Sequence, residues 1–269
     1  MTKAAGRASK PTLQATKPTP RPTPKATRPI PKRLAEETIA EMKRLADPRR
    51  AAGNQRYFKE PIESYGLDGA TAKRLLKELV TQTKGVWTVD DAVAFCTLMV
   101  HDPHLEPRAI AFQLLAAFAT GADASVIKDV RGWLEKSCDN WALVDSLAPA
   151  VLGPLLERHP KLVAEVVGWT TSRNMWLRRA SAVAFIPLVR RGLHLDTAYD
   201  VATRLFDDSE DLMHKAVGWM LREAGKKDMP RLERFLKDEG PRIPRTTVRY
   251  AIERFPKEKR KALLEATRA

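Results

Sequence analysis

Asn174-Met175-Trp176-Leu177-Arg178-Arg179-Ala180-Ser181 is the stretch whose reading decides the fold. A basic residue followed by Ala stands near the start of a segment whose apolar residues fall at helical spacing. The same arrangement occurs in Glu106-Pro107-Arg108-Ala109-Ile110 and in Met213-His214-Lys215-Ala216-Val217, and a further step reaches Arg249 in Val248-Arg249-Tyr250-Ala251. Arg108 to Arg179 is 71 positions, two steps of about 36; Arg179 to Lys215 is 36 and Lys215 to Arg249 is 34. The step missing between Arg108 and Arg179 lands on Asp145.

A period near 35 built from two helices predicts an α-solenoid of the HEAT, armadillo or TPR kind. One helix pair cannot bury its apolar face alone, so neighbours stack into a continuous core and equivalent positions line up along one surface. Apolar residues at i, i+3, i+4 and i+7 run through Thr71–Val80, Ala92–Val100, Arg108–Ala119, Trp141–Leu156, Trp176–Val189 and Met213–Ala224. Between them lie breaks such as Asp102-Pro103, His159-Pro160, Gly240-Pro241 and Phe255-Pro256, with Asp68 and Asp123 placed to cap. No alternating strand stands out. The expectation is an all-α protein of about twelve short helices: a curved solenoid of about six HEAT-like repeats over residues 34–269, preceded by a disordered basic tail over residues 1–33.

Charge is distributed to match. The 269 residues hold 47 Lys+Arg against 33 Asp+Glu, a formal +14. Residues 1–33 carry nine of the basic groups and no acid, so the other 236 carry 38 against 33, a surplus of +5. The tail is rich in Pro, Thr and Lys and cannot bury enough surface to offset its ordering entropy. It is either a solubilising leader or a non-specific tether for a polyanion. Two cysteines, Cys96 and Cys138, imply no disulfide framework and fit a reducing cytosol. No apolar run is long enough to span a membrane, and no secretory signal is recognisable. The five histidines form no metal signature, and no Gly-rich phosphate loop is present. No metal or cofactor is therefore expected, and the chain is read as a cytoplasmic monomer.

Asp145 is the acidic exception in the row Arg108, Asp145, Arg179, Lys215, Arg249. The basic members are either a solvated helix face or a stripe for phosphates. Asp145 is either a salt-bridge partner of Arg179 or Arg178, or a carboxylate facing a developing positive charge. Trp141 lies four residues before Asp145 and Trp219 four after Lys215, hence on the same helix faces. Two aromatic faces beside a carboxylate in a basic groove suit a sugar or a base. Trp87, Trp133 and Trp169 are read as core.

These residues carry a resemblance. Asp139-Asn140-Trp141-Ala142-Leu143-Val144-Asp145-Ser146 resembles the W-x-x-V-D signature of the AlkD-like DNA alkylation repair family, bacterial DNA glycosylases built from HEAT-like repeats. Asn174–Ala180 resembles its W-L-x-R-A segment, and His214–Glu223 its K-A-x-G-W-x-L-R-E segment. The likeness spans roughly residues 40–255. It implies that Trp141 and Trp219 pack against the backbone of the lesion nucleotide, that Asp145 is the catalytic carboxylate, and that Arg179 contacts DNA beside the lesion. Tyr57, in Gln55-Arg56-Tyr57-Phe58-Lys59, matches an N-terminal tyrosine at the same site. Arg178, Lys215, Arg108, Arg222 and Arg249 complete the expected DNA-contacting set. Asn140 and Ala142 depart from the pattern, since the family has an aromatic residue and a second acid there.

The implied activity is monofunctional hydrolysis of the N-glycosidic bond of cationic alkylpurines, of the 3-methyladenine and 7-methylguanine type, in double-stranded DNA. The alternative is a non-catalytic repeat module that binds a DNA structure or a protein. For the tail, deleting residues 1–31 is expected to lower DNA affinity and the slope of affinity against salt without changing lesion preference. An unchanged slope in a salt titration identifies the tail as a leader only.

Overall fold

The structure, a computed structural model, describes residues 28–268; the expectation of a disordered tail over residues 1–27 lies outside them. Helix α1 (Pro31–Arg44) and α2 (Pro48–Asn54) each begin with Pro in the first turn, where its missing N–H leaves no intrahelical bond unmade. Asp68 caps α3 (Gly69–Thr83) as expected, and a Thr88–Asp91 capping box starts α4 (Val89–Met99). There follow α5 (Leu105–Ala116), α6 (Val126–Lys136), α7 (Trp141–Leu147), α8 (Gly153–Arg158), α9 (Leu162–Gly168), α10 (Met175–Val183) and α11 (Ile186–Val189). The chain continues with α12 (Leu195–Arg204), α13 (Asp211–Gly225), α14 (Met229–Glu239), α15 (Arg245–Ala251) and α16 (Lys257–Ala266). The described residues form no strand, and one isolated bridge pairs Glu63 with His104.

Three details differ from the sequence expectation. The described residues form sixteen α-helices rather than about twelve, because prolines divide the longer ones: Pro149 lies in a π turn between α7 and α8, Pro154 heads α8, and Pro187 heads α11. Asp123 offers its backbone carbonyl to the Val126 N–H (3.1 Å), and α6 has no side-chain cap. The folded region also begins before residue 34. Pro31 is helical, the Trp87 indole N–H donates to the Pro29 carbonyl (2.8 Å), and Arg28 pairs with Asp91.

Helices α3, α5, α7, α10, α13 and α15 pack in succession, each against the next, as a rank of six. Helices α4, α6, α12 and α14 pack against members of that rank. A continuous apolar core results, with Phe112, Leu143, Leu147, Ala180, Val183, Leu221 and Val248 all excluded from solvent. Trp87, Trp133 and Trp169 belong to it, as do both cysteines, whose thiols burial pushes up in pKa. Side-chain bonds between neighbouring repeats span one period: Arg179 to Asp145 is 34 residues, Arg190 to Glu223 is 33, Arg231 to Asp196 is 35 and Thr246 to Asp211 is 35.

Helices α13 and α15 approach closely at Gly218. A Cβ placed there would lie 2.5 Å from Cβ of Tyr250 and 2.8 Å from the Thr247 carbonyl oxygen. Overpacking at such a contact costs about 1–3 kcal/mol. Gly218→Ala is therefore expected to lower the thermal midpoint by several degrees, as measured by circular dichroism.

Candidate active site

The start of α7 is built by its cap. Asn140 is buried, its side-chain oxygen accepts from the Ala142 and Leu143 N–H groups (3.1 and 3.2 Å), and its amide donates to Asp139 (2.8 Å). That cap fixes Trp141 as the first helical residue and brings Asp145, one turn later, onto the same face. Asn140 is thus used up as a cap.

Asp145 is held by Arg179 from α10 in a bidentate pair: Nε donates to Oδ1 at 2.9 Å and Nη2 to Oδ2 at 2.8 Å. The remaining guanidinium nitrogen, Nη1, donates to the Leu212 carbonyl (2.6 Å) at the start of α13. The side chains are 16% and 5% exposed respectively. Burial pushes the Asp145 carboxyl above its ordinary pKa, although Arg179 pulls the other way. Of the two salt bridges considered for Asp145, the one with Arg179 is present.

A cavity of about 550 Å³ opens over this pair, bounded by Trp141, Asp145 and Arg179 on one side and by Lys215, Trp219, Arg222 and Tyr250 on the other. Residues 56–60 form its remaining wall. Phe58 stacks on Trp141 with ring centroids 5.4 Å apart and planes at 19°. The Trp141 indole N–H donates to the Tyr57 carbonyl (3.3 Å), and Tyr57 itself is 59% exposed beneath the Arg56 guanidinium. Lys215 is bonded to Asp211 (2.7 Å), and that bond raises its pKa. Arg222 pairs with Glu253, while its buried Nε makes no hydrogen bond among the described residues. Five cations and three acids line the space.

The cavity thus gathers Trp141, Asp145, Arg179, Lys215, Trp219, Arg222 and Tyr57. It leaves out three residues expected to contact DNA, Arg108, Arg178 and Arg249, and helix register accounts for the first two. Asp145, Arg179, Lys215 and Arg249 are each the fifth residue of their helices, whereas Arg108 is the fourth of α5. Its equivalents are Arg178 in α10 and His214 in α13. This fourth position points back into the preceding loop. Arg108 is buried and donates to the carbonyls of Pro103, His104 and Ser137 and to Asp139. Arg178 bonds the Ser172 and Arg173 carbonyls and Asp208, and His214 bonds the Asp208 carbonyl. Arg108 and Arg178 thus clamp loops and do not line the cavity. Arg249 holds the right register and is exposed, but Tyr250 beside it lines the cavity. Sequence reasoning missed Tyr250, Phe58, Arg56, Lys59 and Asp211; the nearest signal was the basic-aromatic run at 55–59.

The described residues contain no cluster of three His, Cys, Asp or Glu side chains able to hold a metal ion. No described helix is long and apolar enough to cross a membrane. A family model described as DNA alkylation repair enzyme matches residues 38–255. The chain belongs to this family. Membership gives it a role in DNA repair, with DNA as the partner. The fold is similar to that of a predicted DNA alkylation repair enzyme from Enterococcus faecalis: TM-score 0.67 at 18% identity, over 79% of this chain and 97% of that one. The smu.31 protein of Streptococcus mutans aligns over 84% of this chain and 99% of its own, with TM-score 0.46 and 18% identity. No curated protein matches the chain.

Within the family the Asp145–Arg179 pair can be tested for its structural weight. Removing one partner of a buried pair costs about 3–5 kcal/mol, because the other charge is left uncompensated. Arg179→Ala is expected to lower stability by that order in chemical denaturation, and a loss well under 1 kcal/mol would show that the pair is not what joins these helices.

Proposed function

We propose that the protein is a monofunctional DNA glycosylase that releases cationic alkylpurines, of the 3-methyladenine and 7-methylguanine kind, from duplex DNA. The observation that carries the reading is one carboxylate, Asp145, anchored at both oxygens by Arg179 in a cavity that Trp141 and Trp219 also line and in which cations outnumber acids. Alkylation of a purine ring nitrogen makes the base a cation and a good leaving group. As the glycosidic bond breaks, its electron pair leaves with the base, which departs neutral, and positive charge develops on the deoxyribose, as in glycoside hydrolysis. A fixed carboxylate stabilises charge that exists only in the transition state. Water, oriented by Asp145, then adds at C1′ and gives up its proton to solvent. No general acid is needed, and no lysine is assigned as a nucleophile, so no strand-cleaving step is included.

In this scheme Arg179 orients Asp145, since each of its three guanidinium nitrogens donates one bond within the protein, two to Asp145 and one to the Leu212 carbonyl. Lys215, Arg222 and Tyr57 remain to contact the backbone, and the faces of Trp141 and Trp219 lie against the sugar, each contributing cation–π stabilisation of about 1 kcal/mol.

The test is release of methylated base from alkylated duplex DNA. Asp145→Asn is expected to lower the single-turnover rate about 10²-fold. No release by wild type sinks the enzymatic reading, and equal release by both proteins sinks the role of Asp145. The pH dependence follows from the raised pKa. Asp145 must be ionised to act, so the rate falls as acid protonates it, with the inflection above the ordinary aspartate value of about 3.9. Asp145→Asn should lose that acid limb.

One observation favours a second reading, a binder that leaves DNA intact: the Asp145 charge is already neutralised by Arg179. Such a protein would retain branched or alkylated duplexes in a gel shift and return them unchanged.

A further inference from the structure

The wall opposite the helix rank is irregular chain, yet it is tied down at three points. Gln55 uses its whole amide on it, donating to the Phe58 and Glu60 carbonyls (3.2 and 2.8 Å) and accepting from the Ile62 N–H (3.0 Å). Farther along, the buried carboxylate of Glu106 accepts from the Ser64 hydroxyl and from the backbone N–H groups of Tyr65, Gly66 and Leu67. The third tie reaches the cavity itself. Phe58 stacks on Trp141, and the Trp141 indole N–H is bonded to the carbonyl of Tyr57.

Trp141 is the first residue of α7, so its own helix restrains it weakly, and it is only half buried. An indole with one edge toward solvent keeps alternative rotamers unless a neighbour removes them. The stack and the hydrogen bond supply that restraint from a segment more than 80 residues away in sequence. We propose that Phe58 is a positioning residue: it fixes the ring of Trp141 at the angle at which that ring meets the lesion nucleotide, while Gln55 holds the Phe58 carbonyl and Glu106 anchors the chain that follows. The inference deepens the glycosylase reading and rests on it for the role of Trp141. Aromatic pairs are coupled by up to about tenfold in an equilibrium, and misplacement of a contacting group is felt in the chemical step more than in binding.

The test uses the full chain and the variants Phe58→Ala, Phe58→Tyr, Trp141→Ala and the double variant Phe58→Ala/Trp141→Ala. The Trp141 indole N–H signal in a nitrogen–proton correlation spectrum is assigned by its loss in Trp141→Ala. In Phe58→Ala that signal is expected to move and its hydrogen exchange to quicken, while the other five indole signals stay in place. Phe58→Ala should slow single-turnover release of 7-methylguanine about tenfold with duplex affinity unchanged, and Phe58→Tyr should restore the rate. The double variant should be no slower than Trp141→Ala alone. An unmoved indole signal, an unaffected rate, or effects that multiply in the double variant each overturn the proposal. If wild type releases no base, the glycosylase reading fails separately. The positioning role is then judged by the indole signal, where a Trp141 resonance that neither moves nor exchanges faster in Phe58→Ala overturns it.

Discussion

Arg179 is the interaction on which the site depends. One guanidinium rooted in α10 holds both oxygens of Asp145 on α7 and the Leu212 carbonyl at the head of α13. Three consecutive helices of the rank are therefore registered through one planar group. The fork geometry of arginine makes this possible, since a lysine offers no fixed set of parallel donors. The relative placement of Trp141 on α7 and of Lys215 and Trp219 on α13 follows from that registration, because each is a fixed number of residues from an atom Arg179 touches.

The opposite wall obeys a different rule. Residues 55–67 contain only one short turn of helix, so their backbone groups have few regular partners and take side chains instead. Gln55 and Glu106 together satisfy seven such bonds, one of them to the Ser64 hydroxyl. A rigid helical floor thus meets an irregular wall made rigid by two polar side chains. The contact between them is aromatic, where Phe58 lies on Trp141.

The period was legible in the sequence because each repeat must bury the same helix face, and burial leaves a repeating apolar pattern. The site was legible in part for the same reason: Asp145, Arg179 and Lys215 occupy one helical position in three repeats. The alignment slipped by one at Arg108, since a basic residue before Ala occurs at both the fourth and the fifth positions, and Arg178-Arg179 carries both. Only backbone direction separates the two, one aimed into the preceding loop and one into the cavity. The wall was illegible for a stronger reason. Its contacts with the rank, such as Tyr57 with Trp141 and Tyr65 with Glu106, join residues with no shared period. The first residues of the fold escaped notice because Pro29 and Pro31 suggest extended chain, although proline suits a helix's first turn.

A buried ion pair is poor evidence of selection for stability, since well-packed apolar residues of similar volume often do as well or better. The pairs in this chain differ in what else they do. Arg178 and Asp208, 18% and 5% exposed, also close a loop by bonding its carbonyls, so that pair has structural work of its own. Arg108 closes a loop in the same manner, with Asp139 on the surface. Asp145 closes nothing: its two oxygens receive Arg179 and no backbone group. Burial makes its charge costly, and the direction of its pKa shift shows that Arg179 does not fully offset that cost. Its structural work is to tie α7 to α10 through Arg179, and its place beside the cavity is what the proposed glycosylase reading uses.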